Sequence, residues 1–271
     1  MAIRTQGDRQ LGDPTPGIDR RQFTSLLVGA IGASLLTGCE APNDPNRGNG
    51  SARLTARPGV PSLTIAPGSY QLGLATPRDG ILFVPPQYDP QVPMPMLLAL
   101  HGGGGSANGP INFFAPYARQ VGFIVLAVDA RGGSWDGILG RFEFDPPFIE
   151  QALAWTFARC RVDPARVWLE GASDGGTYSF GIGLANGDLF RRVVAFIPAG
   201  LSESDSPRVA KPEFFIASGK QDPIFSIETI RGVTVPGLRG DGYQVEFVEF
   251  DGGHTIPAEV ADQAVAWMVR P

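Results

Sequence analysis

Apolar residues from position 63 onward occur in short runs separated by segments with helical spacing. The runs predict strands over residues 71–75, 81–85, 96–100, 123–128, 167–170, 193–197, 214–217 and 245–250. Several runs are apolar without interruption, which is typical of strands covered on both faces. The pattern therefore predicts an α/β domain over 63–271, with a mostly parallel twisted sheet and helices on both faces.

Two helices have clear sequence signals. Asp145-Pro146 is typical of a helix start, and a second helix is expected to begin near Pro257. The helical period predicts buried faces made of Ile149, Ala152, Leu153, Thr156, Phe157 and Cys160 in the first helix, and of Val260, Ala264, Val265 and Met268 in the second. Cys160 is therefore expected to be a buried, small apolar residue and not a redox or nucleophilic group.

Residues 1–38 have the pattern of an export signal. Arg20 and Arg21 precede an apolar run over 26–36, which is shorter than the roughly 20 residues that span a bilayer, and the paired arginines resemble a twin-arginine signal. The run ends in Leu-Thr-Gly-Cys39, which resembles a bacterial lipobox. We expect lipidation of Cys39 and an exported cell-envelope lipoprotein, on the periplasmic or extracellular face, whose lipid inserts in a membrane. A plain secretory peptide is the alternative.

Residues 39–62 are rich in proline, glycine and asparagine and contain few bulky apolar side chains. This composition predicts a flexible tether between the export signal and the α/β domain.

Charge and ligand-type residues exclude several classes of partner. The 271 residues carry a formal net charge of −5, and Lys211 and Lys220 are the only lysines, so nucleic acid is not an expected partner. With two histidines and one thiol besides Cys39, the sequence predicts no metal site and no organic cofactor. We expect a monomer.

A Gly-x-Ser-x-Gly motif over 171–175 follows the apolar run 167–169 and precedes a helix-competent segment. In this context the serine, Ser173, is a candidate nucleophile on a sharp strand-to-helix turn, where glycine is needed because a β carbon would not fit. In a chain with 36 glycines, an ordinary glycine-rich turn is the alternative.

A second glycine-rich stretch, His101 followed by Gly102 to Gly105, comes directly after the strand predicted over 96–100. Backbone amides in such a loop can stabilise a developing oxyanion. We expect one amide from Gly103, with Gly104 as second choice, and the other from Asp174. The Asp174 side chain is expected to turn away, because its carboxylate would repel the oxyanion.

The remaining candidates are a base and an acid. Because His101 is expected to hold the glycine loop, His254 is the candidate base, in a loop after the last predicted strand. Asp222 follows the strand predicted over 214–217 and gives the order Ser, Asp, His, so it is the first candidate for the acid. Asp251 is the second.

These motifs, with residues 78–85, Trp135-Asp136, 162–167 and 251–257, resemble the bacterial phospholipase/carboxylesterase branch of the α/β-hydrolase superfamily. They are similar also to polyhydroxybutyrate depolymerase-type esterases. The resemblance covers roughly residues 69–270 and implies an α/β-hydrolase fold, with Ser173 as nucleophile, Asp222 as acid and His254 as base. Asp174 departs from the Gln, Met or Asn that is frequent in the family.

The function expected is hydrolysis of carboxylic esters, short-chain or polyester-like, through an acyl-enzyme. Only about 15 residues separate the strands predicted over 193–197 and 214–217. This connection is too short for the helical cap that many lipases insert there, so no large cap domain is expected. Seven apolar residues on candidate rim loops or adjoining elements together suggest an apolar acyl site, although each taken alone is more typical of the core than of a substrate contact: Phe113, Phe114, Trp135, Phe142, Tyr178, Phe225 and Ile256. The alternatives are a peptidase or acyltransferase with the same residues, or a catalytically silent, surface-displayed binding module.

Overall fold

The computed structural model describes residues 50–271. Its strands are β1 (Gly68–Gln71), β2 (Gly80–Val84), β3 (Met94–Leu100), β4 (Ile124–Val128), β5 (Val162–Ala172), β6 (Arg192–Phe196), β7 (Glu213–Gly219) and β8 (Val245–Phe250). Its α-helices are α1 (Asn108–Val121), α2 (Asp145–Phe157), α3 (Asp174–Ala185), α4 (Ile227–Thr229), α5 (Val235–Gly240) and α6 (Ala258–Met268). A 3₁₀ turn (Asp136–Leu139) precedes α2, and a π-helical turn (Ile230–Thr234) joins α4 to α5.

The strands form one twisted sheet in the order β1-β2-β4-β3-β5-β6-β7-β8. β1, β2 and β4 pair antiparallel, and the six strands from β4 to β8 along this order pair parallel. β3 lies between β4 and β5 in the sheet. After β3 the chain moves to β4 on one side, and after β4 it crosses back over β3 to form β5 on the other side. The loops after β3 and β5 therefore diverge at the carboxyl edge, where open α/β sheets form a crevice.

All eight predicted strands are present, and the first is displaced. The prediction placed it over 71–75, whereas β1 ends at Gln71. The carboxylate of Asp79 accepts hydrogen bonds from the amides of Gly73 (2.7 Å) and Leu74 (3.0 Å), which folds residues 72–79 into a turn. This side-chain contact ends the strand, and the apolar pattern alone does not reveal it.

Helices cover both faces of the sheet. α1 and α6 pack on one face, with Phe114 and Ala264 among the buried residues, and α2 and α3 pack on the other, with Leu153 and Phe180. Every residue predicted for the buried faces of α2 and α6 is buried, Cys160 included. Burial raises the pKa of the Cys160 thiol to about 12, so the thiol is protonated and inert at neutral pH. The connection from β6 to β7 contains no helix, and no cap domain is present there.

The predicted tether is wrong for its described part, because residues 50–58 pack on the domain. Ala52 and Leu54 are buried, and the buried Asn186 side chain accepts from the Leu54 amide (2.8 Å) and donates to the Ala52 carbonyl (2.7 Å). Arg53 and Arg57 form ion pairs with Asp188. Hydrogen bonding from Arg53 holds the pKa of Asp188 well below its usual range.

Composition does not predict this packing, because only two apolar side chains and two arginines hold the segment on the domain. The predicted export signal, Cys39 and the predicted tether over 39–49 lie outside the described residues. In residues 50–271, no helix is long and apolar enough to cross a membrane.

Glu170 on β5 is an ionisable residue in the apolar interior. It is 2% exposed, its register neighbours are Ala99 and Val194, and its carboxyl receives no hydrogen bond from residues 50–271. Burial raises the pKa of Glu170 well above its usual value of 4.5. The folded protein therefore keeps this carboxyl protonated at pH values where the unfolded chain ionises it.

We expect Glu170→Gln to stabilise the protein at neutral pH. The unfolded state loses its proton near pH 4.5, so the wild-type free energy of unfolding falls as pH rises from there toward the folded pKa. Glutamine has no such titration. At pH 7 the variant should therefore have a higher Tm than the wild type, and the difference should widen as pH rises.

Calorimetry between pH 4 and pH 8 checks this expectation. The difference in Tm between Glu170→Gln and the wild type should shrink toward pH 4. Glu143→Gln, at an exposed position, is the matched control and should follow the wild type at each pH. The quantity compared is the Tm of Glu170→Gln minus the Tm of the wild type. If this difference were smaller at pH 8 than at pH 4, a protonated Glu170 in the folded protein would be contradicted.

Candidate active site

Ser173 lies in the turn between β5 and α3. Its φ of 57° and ψ of −120° belong to a region that residues with a β carbon seldom adopt. A β carbon at Gly171 would lie 2.1 Å from the carbonyl oxygen of Gly175, and one at Gly175 would lie 2.5 Å from that of Leu100. The turn therefore needs glycine on both sides of Ser173, as the sequence predicts. Ser173 is partly exposed at the carboxyl edge of the sheet.

His254 and Asp222 form a hydrogen-bonded chain with Ser173. The Ser173 Oγ lies 2.8 Å from His254 Nε2, and His254 Nδ1 lies 2.7 Å from Asp222 Oδ2. When Nδ1 carries the proton and donates a hydrogen bond to the Asp222 carboxylate, Nε2 is free to accept a hydrogen bond from the Ser173 hydroxyl. The three residues come from the loops after β5, β7 and β8, and they are the three that the sequence nominates.

Asp222 is fixed in place by its own loop. Its side chain is 2% exposed, and its second oxygen accepts hydrogen bonds from the amides of Ile224 (2.8 Å) and Phe225 (3.0 Å). Asp251, the second candidate for the acid, has an 83% exposed side chain and pairs with Lys220 at 2.9 Å. Asp222, and not Asp251, is therefore the carboxylate in contact with His254.

The glycine loop after β3 lies directly against Ser173. A β carbon at Gly102 would lie 3.3 Å from the Ser173 β carbon and 3.8 Å from its Oγ. Neither the Gly103 amide nor the Asp174 amide donates to another group within residues 50–271, so both remain able to bind a ligand oxygen. The Gly104 amide donates to the Gly133 carbonyl at 2.7 Å. Gly104, the second choice, is thus engaged elsewhere, and Gly103 remains.

His101 holds this loop, as the sequence predicts. Its Nε2 accepts a hydrogen bond from the Ala130 amide (3.0 Å), so its Nδ1 carries the proton and donates to the Gly102 carbonyl (2.7 Å). Burial lowers the pKa of His101, which favours this neutral form. The Arg78 guanidinium lies 3.2 Å from Nε2 and donates to the Gly105 carbonyl at 2.9 Å. His101 therefore has a structural role here.

The Asp174 side chain does not turn away from the glycine loop, contrary to prediction. A β carbon at Gly103 would lie 2.5 Å from Asp174 Oδ2, so the carboxylate rests against the glycine backbone. The Ser134 hydroxyl donates to the same oxygen. The first-turn position and this hydroxyl keep the carboxylate at the loop, and the absence of a side chain at Gly103 makes room for it.

The predicted substrate residues divide into two groups. Trp135 and Tyr178 are 1% and 0% exposed, and Phe114 and Phe142 are buried as well, so these four are core residues, the alternative that the sequence leaves open for each. Their rings stack in the core, with centroids 5.1 Å apart for both Trp135–Tyr178 and Phe142–Tyr178. The Trp135 indole donates to the His101 carbonyl at 2.8 Å, which gives it a supporting role behind the loop.

The other three predicted residues are partly exposed. Phe113 and Ile256 pack against the α1 and α6 side of the core. Phe225 lies edge-on against the His254 ring, with centroids 5.2 Å apart. Phe225 is thus the predicted substrate residue that the structure brings into contact with the Ser173–His254–Asp222 chain.

We expect Gly103→Ala to lower kcat/KM for ester substrates by about 10²-fold. The new methyl group would overlap Asp174 Oδ2 and displace the amide beside it, and loss of one such donor costs about 10²–10³-fold. Gly109→Ala is the control, because a β carbon there meets nothing within 4 Å. Steady-state kinetics and the Tm of both variants check this, and an unchanged kcat/KM for Gly103→Ala would remove Gly103 from the site.

Solved structures share this architecture. Fluorophosphonate-binding serine hydrolase F of Staphylococcus aureus matches with a TM-score of 0.59 and 14% identity, over 76% of this chain and 100% of that one. A phospholipase/carboxylesterase of Dyadobacter fermentans matches with a TM-score of 0.52 and 18% identity, over 71% of this chain and 97% of that one. The chain has the α/β-hydrolase fold. At these identities the likeness establishes the fold alone.

Sequence relatives of this α/β-hydrolase-fold chain are partial. A probable dipeptidyl-aminopeptidase B of Coccidioides posadasii is 32% identical over 138 residues, which is 46% of this chain and 14% of that protein. This chain therefore spans about a seventh of the length of that relative. No protein-family profile matches the chain.

Sequence reasoning missed two side chains that shape the α/β-hydrolase site. Ser134, which holds the Asp174 carboxylate, and Arg78, which holds the His101 loop, were not nominated. Ser134 follows a glycine pair in the loop after β4, which lies at the same sheet edge as the two glycine-rich motifs. This position in the sequence could have indicated that Ser134 lies near the site. Arg78 reaches the loop from the turn before β2, and no local pattern indicates such a contact.

Proposed function

We propose that this protein is a serine hydrolase that cleaves carboxylic esters through Ser173, His254 and Asp222. The observation that carries the proposal is the continuous hydrogen-bonded chain from Asp222 through His254 to the Ser173 hydroxyl, next to two unengaged backbone amides. Nucleophile, base, orienting acid and oxyanion donors are the complete set that acyl transfer requires. The esterase and serine hydrolase neighbours of the same fold support this choice.

The proposed reaction proceeds in two steps. His254 Nε2 takes the Ser173 proton as Oγ attacks the ester carbonyl, and the Gly103 and Asp174 amides stabilise the oxyanion. The tetrahedral intermediate then collapses, the leaving alcohol receives the proton from His254, and an acyl-enzyme remains. Water attacks the acyl-enzyme with His254 as base, which releases the acid and restores Ser173. Asp222 orients His254 and stabilises its protonated form.

The direct test is covalent labelling of the full-length protein with a fluorophosphonate probe, alongside hydrolysis of p-nitrophenyl esters. We expect one label per chain, located on Ser173 by peptide mass spectrometry. A protein that folds but neither labels nor hydrolyses would fit a silent binding module and contradict the proposal. Faster transfer to added alcohols than to water would indicate an acyltransferase.

Short acyl esters, or a polyester lying across the surface, are the proposed substrates. The β6 to β7 connection carries no cap, so the sheet edge above Ser173 is not covered from that side, and Phe225 provides an apolar contact next to His254. Hydrolysis rates for p-nitrophenyl esters from C2 to C16, measured beside an insoluble polyester, test this. A steep rise toward C16 would contradict the short-chain choice.

A peptidase is the second candidate, because the partial relative is a probable dipeptidyl-aminopeptidase. The same residues would then attack an amide carbonyl. Matched p-nitrophenyl ester and p-nitroanilide substrates with the same acyl group separate the two functions. We expect the ester to be cleaved and the anilide to be poor.

We also propose that the protein is exported and anchored through a lipid on Cys39, on the strength of the paired arginines and the Leu-Thr-Gly-Cys sequence. Intact mass measurement of protein from the envelope fraction should show a chain that begins at a diacylated Cys39. An unmodified N-terminus, or unchanged fractionation of a Cys39→Ser variant, would contradict the lipid anchor.

A further inference from the structure

The Asp174 carboxylate lies next to the place where negative charge develops in the proposed reaction. Gly102 contacts Ser173, and the following residue, Gly103, contacts the Asp174 carboxylate. Since Ser173 and Asp174 are consecutive and their Cα atoms are about 3.8 Å apart, the carboxylate lies within about 10 Å of the Ser173 hydroxyl. A carboxylate at this distance opposes oxyanion formation, unless a positive charge on the substrate offsets it.

No cationic side chain within residues 50–271 forms an ion pair with this carboxylate. No lysine or arginine nitrogen lies within 4.0 Å of the Asp174 oxygens. The neighbouring basic group, Arg78, is occupied by His101 and by the Gly105 carbonyl. The single side-chain hydrogen bond to Asp174 comes from the Ser134 hydroxyl, which fixes Oδ2 and leaves Oδ1 without a partner in this part of the chain.

Asp174 is also partly exposed at the site, unlike the acid that orients His254. Asp222 is enclosed and has all its contacts within the protein, whereas Asp174 is accessible to a ligand bound over the glycine loop. The site therefore contains two carboxylates with different surroundings. One contacts His254, and the other lies, partly exposed, at the glycine loop.

We propose that Asp174, held by Ser134, is a specificity residue that selects esters bearing a cationic group, a quaternary ammonium or a protonated amine, within a few bonds of the scissile carbonyl. This proposal rests on the proposed esterase function. The attraction between Asp174 and the cation holds the substrate over the Gly103 amide and offsets the repulsion of the oxyanion. Anionic acyl chains are disfavoured by the same charge.

The test compares esters that differ only in charge. One pair places the difference in the acyl group: the p-nitrophenyl esters of 4-(trimethylammonio)butanoate and of its carbon isostere, 5,5-dimethylhexanoate. The second pair places it in the alcohol: acetylcholine and 3,3-dimethylbutyl acetate. The quantity measured is the ratio of kcat/KM for the cationic ester to that for the neutral ester.

For the wild type we expect this ratio to exceed one in at least one pair, and Asp174→Asn should lower it about tenfold. The variant keeps the backbone amide and the size of the side chain, and the ratio compares two esters on the same protein, so it reports the lost charge and not a general change in rate. Ser134→Ala should lower the ratio by a smaller factor, since the carboxylate remains but is no longer fixed. The wild-type ratio should also fall as salt is raised from 20 to 500 mM.

Asp251→Asn is the matched control, because it removes the same charge from an exposed position three residues before His254. Its charge ratio should equal that of the wild type. Equal ratios for the wild type and Asp174→Asn in both ester pairs would overturn the specificity proposal, while hydrolysis of the neutral esters would leave the esterase function intact. Absence of hydrolysis of all four esters by folded, unlabelled wild type would overturn both.

Discussion

Replacing Ser173 with alanine is expected to lower kcat for p-nitrophenyl esters by about 10⁴–10⁶-fold. The change removes the oxygen that His254 contacts at 2.8 Å and leaves no other nucleophile in the hydrogen-bonded chain. The amides of Gly103 and Asp174 stay in place, so the residual rate should still exceed that of water alone. Active-site titration and steady-state kinetics measure the loss, and fluorophosphonate labelling should disappear.

The control for this result is Ser179→Ala on the same helix. Ser179 is buried, and its hydroxyl donates to the Gly176 carbonyl, so its loss affects one local hydrogen bond and not the Ser173 contact. We expect its kcat to remain within about twofold of the wild type. Wild-type turnover by a folded Ser173→Ala protein would rule out the proposed nucleophile.

The second large effect is expected from Asp222→Asn, which should lower kcat by about 10³–10⁴-fold. An amide in place of the Oδ2 carboxylate oxygen can no longer both fix the Nδ1 proton and stabilise protonated His254. KM should change little, because Asp222 acts through His254 and does not contact the substrate. Stopped-flow measurement of acylation separates this effect from substrate binding.

Asp251→Asn provides the comparison for Asp222→Asn. Asp251 was the second candidate for the acid, and it pairs with Lys220 at the surface. Its replacement should change kcat by less than about twofold. If Asp251→Asn were the more damaging of the two, the assignment of the acid to Asp222 would be wrong.

The sequence predicted the strands and the Ser173–His254–Asp222 set because these features are local. Buried parallel strands are continuous apolar runs, and the glycines at 171 and 175 are dictated by carbonyls within the same turn and in the adjoining strand. Only two histidines are present, so choosing between them needed little structural information. Strand order then brought the three loops to one edge of the sheet.

Features set by contacts between distant residues were not predictable in this way. Trp135 and Tyr178 are in segments predicted at or beside the rim of the site, where an aromatic side chain can belong either to the cleft or to the core, and contacts between distant residues place them stacked on each other in the core. The position of the Asp174 carboxylate depends on Ser134, 40 residues earlier in the chain. Helix-terminus electrostatics alone does not reveal which way that side chain points.

The packing of residues 50–58 has a practical consequence for where the folded domain begins. Composition places the boundary at residue 63, but a chain shortened to that point would lack Ala52 and Leu54 and would uncover the apolar surface beneath them. It would also deprive Asn186 and Asp188, next to the end of α3, of their partners. A shortened form for crystallisation or immobilisation should therefore begin at or before Gly50, and a fusion partner should be attached on the N-terminal side of Gly50.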